Sequence, residues 1–235
     1  MRKLKSIINK LLNSLEGVYY YPAAFYYFIH LWDSSKHTSI NKCIERSLIR
    51  KHDIGGKYTK HNWYIFESII RVLTLKLHKN KAKNILDIGS GAGYFGYVVK
   101  FFGHSYTGLD IPTNDFYACT NKTYNNSIIT RTISPKSEVD LPESNGFDLI
   151  TSFSITFNRK YVENRAIYWS ESDWDFFLQD ISFYLNNGGE LFLRFNAPLR
   201  KDINTAIFSY LNNHDDWVIK STLGRRGVLL KKCKS

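Results

Sequence analysis

Residues 84–96, Asn-Ile-Leu-Asp-Ile-Gly-Ser-Gly-Ala-Gly-Tyr-Phe-Gly, constrain the fold of this chain more than any other stretch. Asn84 to Ile88 is short, apolar and closed by glycine, the pattern of a central parallel strand. Gly89, Gly91 and Gly93 let the backbone turn sharply and approach a ligand where a Cβ would collide, and a helix start follows. A nucleoside cofactor sits at such a turn. Two glycine frames overlap, Gly89-x-Gly91-x-Gly93 and the dinucleotide spelling Gly91-x-Gly93-x-x-Gly96, so two ligand classes fit the glycines alone.

Two carboxylates separate those classes. Asp87 stands two residues before the first glycine, where it would repel a pyrophosphate docked on the helix N-terminus. S-adenosylmethionine has no phosphate and carries an ammonium and a sulfonium, so an anion at Asp87 suits it. Asp110 closes the apolar segment Ser105-Tyr-Thr-Gly-Leu-Asp110, one helix and one strand further on, where an acidic side chain can accept both ribose hydroxyls.

At these residues the chain resembles the class I S-adenosylmethionine-dependent methyltransferases. Leu86-Asp-Ile-Gly-Ser-Gly-Ala-Gly93 is similar to their first motif and Gly108-Leu-Asp110 to their ribose-binding one; Phe147–Phe153 resembles their fourth strand and Leu185–Leu193 the turn into their fifth. The resemblance spans roughly residues 60 to 233. It implies a doubly wound, seven-stranded Rossmann-like α/β sheet, a methyltransferase domain over 61–235, and a helical extension or lid over 1–60. It implies that Gly89, Gly91 and Gly93 line the methionine portion of S-adenosylmethionine, that Asp110 holds the ribose, and that Ile111, Ile133 and Ser134 flank the adenine. Asp87, Ser90, Tyr94, Phe95, Ser152, Phe153 and Tyr58 complete the cofactor candidates. Lys57, Tyr58 and His61 fall where the family often has a lid.

Charge divides the chain. Residues 1–83 hold sixteen Lys and Arg against five Asp and Glu, whereas residues 84–235 hold sixteen against sixteen. A basic excess confined to one segment suits an anionic partner or a solvated basic face. Leu4, Ile7, Ile8, Leu11, Leu12 and Leu15 recur at helical spacing among Arg2, Lys3, Lys5 and Lys10, which reads as a basic amphipathic helix ended by Gly17. Val18 to Trp32 then carries eight aromatic residues in fifteen, a composition suited to a water–apolar boundary. Residues 1–32 are therefore the candidate for peripheral contact with an anionic membrane; no run is long enough for a span. Cys43, Cys119 and Cys233 are odd in number and far apart, so neither a disulfide framework nor a metal site is expected, and a reducing cytoplasm fits.

Periodicity places strands near 84–88, 105–109, 127–131, 147–153, 189–195, 216–221 and 227–232. Helices are expected from Thr38 or Ser39 to Arg50, and near 61–78, 93–102, 172–186 and 201–213, with Ser172 and Asp175 capping the fourth of these. The stripe Trp63, Phe66, Ile69, Ile70, Leu73 and Leu77 is expected to be buried on the sheet, and His104, at a helix-to-strand turn, to be structural. The segment Thr132–Gly146 reads as a loop.

The base for methyl transfer is less visible. Ser154-Ile-Thr-Phe-Asn-Arg-Lys160 lacks the Asn/Asp-Pro-Pro-aromatic signature of amino-methylating nucleic-acid enzymes, a cysteine nucleophile and early acidic metal ligands. Asn158 and Arg159 are candidates to orient an acceptor hydroxyl or phosphate, and His61 is a candidate base. The Gly-x-Gly-Tyr-Phe-Gly start and Trp169-(x)4-Trp174-x-Phe-Phe-Leu resemble methyltransferase-like proteins of bacterial glycan loci. That similarity implies O-methylation of a sugar or other polar hydroxylated acceptor. An RNA methyltransferase and a non-catalytic cofactor-binding module are the alternatives, the former without a recognisable RNA-binding motif.

Overall fold

The computed structural model describes residues 18–47, 56–111, 115–141, 146–155, 158–162, 165–199 and 201–233. The helix expected over residues 4–15 lies outside them. The chain divides into two compact units. One comprises the described residues up to Ala82 with those of Ala92–Gly103 and Asn114–Asn125; the other comprises Lys83–Gly91, His104–Thr113 and Asn126–Ser235.

The helical unit contains α1 (Tyr21–Leu31), α2 (Ser34–Arg46), α3 (His61–Thr74), α4 (Tyr94–Phe101) and α5 (Asp115–Thr123). The sheet unit contains β1 (Asn84–Ile88), β2 (Ser105–Asp110), β3 (Ser127–Thr130), β4 (Phe147–Ile155), β5 (Arg159–Val162), β6 (Arg165–Tyr168), α6 (Glu171–Phe183), β7 (Leu185–Phe195), α7 (Asp202–Asn212), β8 (Trp217–Leu223) and β9 (Gly227–Lys232).

Seven strands form one sheet in the order β3-β2-β1-β4-β7-β9-β8, and β5-β6 form a separate antiparallel pair. Strands β1 to β4 and β7 run parallel, while β9 is antiparallel to β7 and β8. The order reverses beside β1, with β2 on one side and β4 on the other. Ligands in open α/β sheets lie outside the carboxyl ends of strands at such a reversal. Alternation along β1 turns Leu86 and Ile88 to one face, where they join Leu109, Ile150, Leu191 and Leu193. Trp174, Phe177, Leu178 and Ile181 of α6, with Ile207 and Leu211 of α7, close that core. Asp87 belongs to the opposite face.

Several local expectations need correction. Helix α2 starts at Ser34, ahead of Thr38 and Ser39, because Asp33 Oδ1 accepts the Ser35 and Lys36 N–H groups at 3.0 and 3.2 Å. Thr38 and Ser39 lie inside the helix and donate to carbonyls four residues back. Helix α6 is capped two residues before the expected pair, by a reciprocal Ser170–Asp173 capping box. In α3 the buried arc is Ile65, Ser68, Ile69, Val72 and Leu73, whereas Trp63 is exposed. That arc packs against α1 and α4. Lys76 in the left-handed region follows the end of this helix, and Leu77–Lys79 make a 3-10 turn.

The cysteines depart furthest from expectation. Cys43 of α2 and Cys119 of α5 form a disulfide, with Cα atoms 5.7 Å apart, and Cys233 is free. The pairing comes from the packing of α2 on α5, which joins positions 76 residues apart. It removes the unpaired-thiol argument for a reducing compartment. No helix among the described residues is long and apolar enough to cross a membrane.

Candidate functional site

The glycine turn follows β1 directly. Gly89 and Gly91 have φ of +77° and +54°, the left-handed region that disfavours side chains, and open space surrounds the Cβ position of each. The turn is fastened to the end of β2. Gly89 and Ser90 both donate their amides to the Leu109 carbonyl, at 2.7 and 3.2 Å, and the Gly91 amide donates to Asp110 Oδ2. Three successive amides are thus engaged within the protein.

Asp110 is partly buried at the carboxyl end of β2. Its Oδ1 accepts the Ile111 N–H at 2.8 Å, so each carboxylate oxygen carries one backbone hydrogen bond. A carboxylate has about four acceptor positions, which leaves capacity for two further donors such as a vicinal diol. Burial raises the Asp110 pKa above the ordinary carboxylate value, and the bonds from Gly91 and Ile111 oppose that rise. Ile111 itself is exposed.

Asp87 is buried beneath the turn. Thr151 of β4 donates to its Oδ1 at 2.8 Å, and Tyr106 of β2 donates to its Oδ2 at 3.3 Å. Burial first, and the neighbouring Asp87 charge second, hold the Tyr106 phenol well above its usual value, so it remains a donor. Gly108 leaves the room that the Ser90 side chain occupies: a Cβ there would lie 2.7 Å from Ser90 Oγ and 2.5 Å from Ile128 Cδ1. Gly108 therefore answers a packing requirement besides its place in the motif similar to the ribose-binding one, and Tyr106 and Thr151 are site residues that no sequence motif marks. Their signal is register: Asp87 pairs with Gly108 and with Thr151 on its two neighbouring strands.

Ser152 is buried, and its hydroxyl donates to the Ile88 carbonyl at 3.1 Å, bracing β4 against β1. Phe153 lies against Phe192, with ring centroids 5.3 Å apart. Ile133 packs at the margin of the sheet core, and Ser134 accepts the Ser137 amide. Asn158, at the start of the β5-β6 hairpin, is buried and its carbonyl accepts the Trp169 amide at 2.9 Å. Arg159 is the first residue of β5, opposite Tyr168. His104 is buried and its Nδ1 accepts the Lys83 amide, a structural role.

The remaining nominated residues belong to the helical unit. Gly93 precedes α4. Tyr94 is buried, donates its hydroxyl to the Tyr58 carbonyl at 2.6 Å, and stacks on Tyr64. Burial raises its phenol pKa, and Phe95 beside it is buried. Tyr58 has ring contacts with Tyr64 and Tyr117. His61 is buried, with Nε2 2.8 Å from His37 Nδ1, and His37 stacks on Trp32 at 3.6 Å between ring centroids. Burial lowers the pKa of both imidazoles, which keeps them neutral near pH 7; one ring then donates and the other accepts. Among the described residues no group of three or more His, Cys, Asp or Glu is placed to hold a metal ion.

Comparison with known proteins bears on the fold. No family model matches the sequence, and no curated protein matches it. The solved structure of an amino pentose methyltransferase from Micromonospora echinaspora, bound to S-adenosylmethionine and involved in calicheamicin biosynthesis, is similar with a TM-score of 0.51. The two chains are 11% identical, over 72% of this chain and 92% of that one. A ribosomal protein L11 methylase from Lactobacillus delbrueckii subsp. bulgaricus is similar with a TM-score of 0.47 and 16% identity, over 72% and 80% of the two chains. A methyltransferase from Pyrococcus furiosus gives 0.47 and 17%, over 70% and 82%. The first of these likenesses establishes the fold: an α/β Rossmann-like methyltransferase fold, as the sequence implied.

Proposed function

We propose that this protein is an S-adenosylmethionine-dependent methyltransferase that O-methylates a sugar or other polar hydroxylated acceptor of a surface glycan. The engagement of the Gly89, Ser90 and Gly91 amides carries the cofactor reading. A dinucleotide loop offers free amides to a pyrophosphate. Here those amides are satisfied by Leu109 and Asp110, and two carboxylates lie at or beneath the turn, an environment that repels phosphate and suits a sulfonium-bearing nucleoside. The residues present fit that group: Asp110 has acceptor capacity for the ribose hydroxyls, and Gly89 and Gly91 leave room beside the backbone.

When bound, S-adenosylmethionine supplies an electrophilic methyl carbon whose bond to sulfur breaks, the sulfur keeping the electron pair. The acceptor oxygen forms the new bond and its proton passes to a base. Holding the acceptor in line is the larger part of such catalysis. Our proposed catalytic set is His61 as the base, neutral through burial, with Asn158 and Arg159 orienting the acceptor. A lipid-linked glycan precursor as acceptor also accommodates a peripheral contact between residues 1–32 and an anionic membrane.

The test is transfer of label from methyl-labelled S-adenosylmethionine to hydroxylated acceptors, with sugar nucleotides and lipid-linked saccharides beside total RNA. Labelled saccharide supports the proposal. Labelled RNA alone would assign the enzyme to nucleic acid, and donor binding without transfer to any acceptor would support a regulatory module.

A further inference from the structure

Helix α1 carries a face that is exposed among the described residues. Ala24 and Leu31 are buried on one side of it, while Pro22, Phe25, Tyr26, Ile29 and Trp32, at helical spacing on the other, are exposed. Phe25 is 59% exposed, Ile29 56% and Trp32 47%, and Tyr19 in the preceding 3-10 turn is 88% exposed. Large apolar side chains exposed together mark an interaction surface, whereas scattered ones do not. Their chemistry is that of a water–lipid boundary: Tyr19, Tyr26 and Trp32 are rings with a polar group, while Phe25 and Ile29 are wholly apolar.

We propose that this face of α1 docks on an anionic lipid bilayer, with Phe25 and Ile29 entering the acyl boundary and Tyr19, Tyr26 and Trp32 lying at headgroup level. Charge selects the occupant. Residues 1–17 hold Arg2, Lys3, Lys5 and Lys10 against Glu16 alone, and the whole of residues 1–83 is strongly basic. A second copy of this chain would bring the same positive charge to the contact and be repelled; anionic headgroups attract it. Apolar insertion and basic attraction are the two components that hold interfacial helices on membranes. Trp32 also stacks on His37, so one of its faces is fixed by protein and its exposed part is presented in a set orientation. The docking deepens the membrane contact in the proposed function and does not depend on which acceptor is methylated.

The experiment is sedimentation of the 235-residue chain with vesicles of phosphatidylcholine alone, and of phosphatidylcholine containing phosphatidylglycerol. The unmodified protein is expected to bind the anionic vesicles at least about tenfold more tightly than the neutral ones, with binding weakened by salt. Phe25→Ser with Ile29→Ser is expected to reduce binding at least about tenfold. Val218→Ser removes an exposed apolar side chain from β8 and is expected to bind as the unmodified protein does. A thermal melt and calorimetric titration of S-adenosylmethionine accompany each variant, so loss of folding or of donor binding is read apart from loss of docking. Equal vesicle binding by a well-folded Phe25→Ser/Ile29→Ser protein would overturn the proposal. So would absence of vesicle binding by the unmodified protein, whether the face then proves to join two copies in solution or to retain RNA.

Discussion

Asp110 and Gly91, nineteen residues apart, are joined across the carboxyl end of the sheet: the Asp110 carboxylate accepts the Gly91 amide with one oxygen and the Ile111 amide with the other. The group proposed to hold the ribose is also the group that fixes the glycine turn.

Replacing Asp110 should therefore damage two things together. In Asp110→Asn the amide keeps one acceptor oxygen, so one of the two backbone donors loses its partner at a cost of about 1–3 kcal/mol. S-adenosylmethionine affinity is expected to fall about tenfold to a hundredfold, with a lower melting temperature. Calorimetry and a thermal melt on the same variant check both.

The same carboxylate predicts a pH dependence for donor binding. Burial raises its pKa in the free protein, and ribose hydroxyls donate to the charged form, so binding should expel a proton. Affinity is expected to weaken as pH falls through the raised value, above the ordinary 3.8, and to lose that component in Asp110→Asn. Titrations in buffers of different ionisation heat would read the released proton directly.

Gly108 should tolerate no side chain. In Gly108→Ala the new methyl meets Ile128 Cδ1 at 2.5 Å and Ser90 Oγ at 2.7 Å. Overpacking of this kind costs about 1–3 kcal/mol. Because Ser90 belongs to the turn, donor affinity should fall along with stability. An unchanged titration with a lowered melt would show that Ser90 moves without disturbing the turn.

The buried histidine pair makes stability acid-sensitive. His37 and His61 have folded pKa values below the ordinary 6.5, so the unfolded chain takes up protons that the folded pair refuses. Their contribution is present above pH 6.5 and is lost as pH falls through 6.5 toward the depressed values. Melting temperature is expected to drop over that window in the unmodified protein and less steeply in His37→Gln.

Thiol counting tests the disulfide. The denatured, unreduced protein is expected to show one reactive thiol, Cys233, and three after reduction. Closing a loop of 76 residues corresponds to about 4 kcal/mol in the chain-entropy account, so reduction should lower the melting temperature by many degrees. Three thiols without reduction would mean that Cys43 and Cys119 are unpaired.

What the sequence discloses follows the range of the interactions. The strands of the large sheet are legible because each is a short apolar run bounded by turn residues, and β1 with its glycines announces the turn. The helix Asp115–Thr123 is not, since Cys119, Thr120, Asn121 and Thr123 are weak helix formers held by the packing of Phe116 and Tyr117. The β5-β6 hairpin has only four residues in each strand and falls between the strand expected near 147–153 and the helix expected near 172–186, where periodicity places no element. At the site, the Asp87 and Asp110 carboxylates are visible, but their partners are not. Thr151 reaches Asp87 from 64 residues away, and the capture of two turn amides by Leu109 depends on strand register. The Cys43–Cys119 bond is likewise a product of helix packing that spacing alone does not reveal.

Calorimetric titration of the 235-residue chain with S-adenosylmethionine and with NAD asks whether the turn beginning at Gly89 holds a methyl donor. Saturable binding of S-adenosylmethionine is expected, weakened in Asp110→Asn, with no heat of binding from NAD. Binding of NAD without binding of S-adenosylmethionine would contradict it.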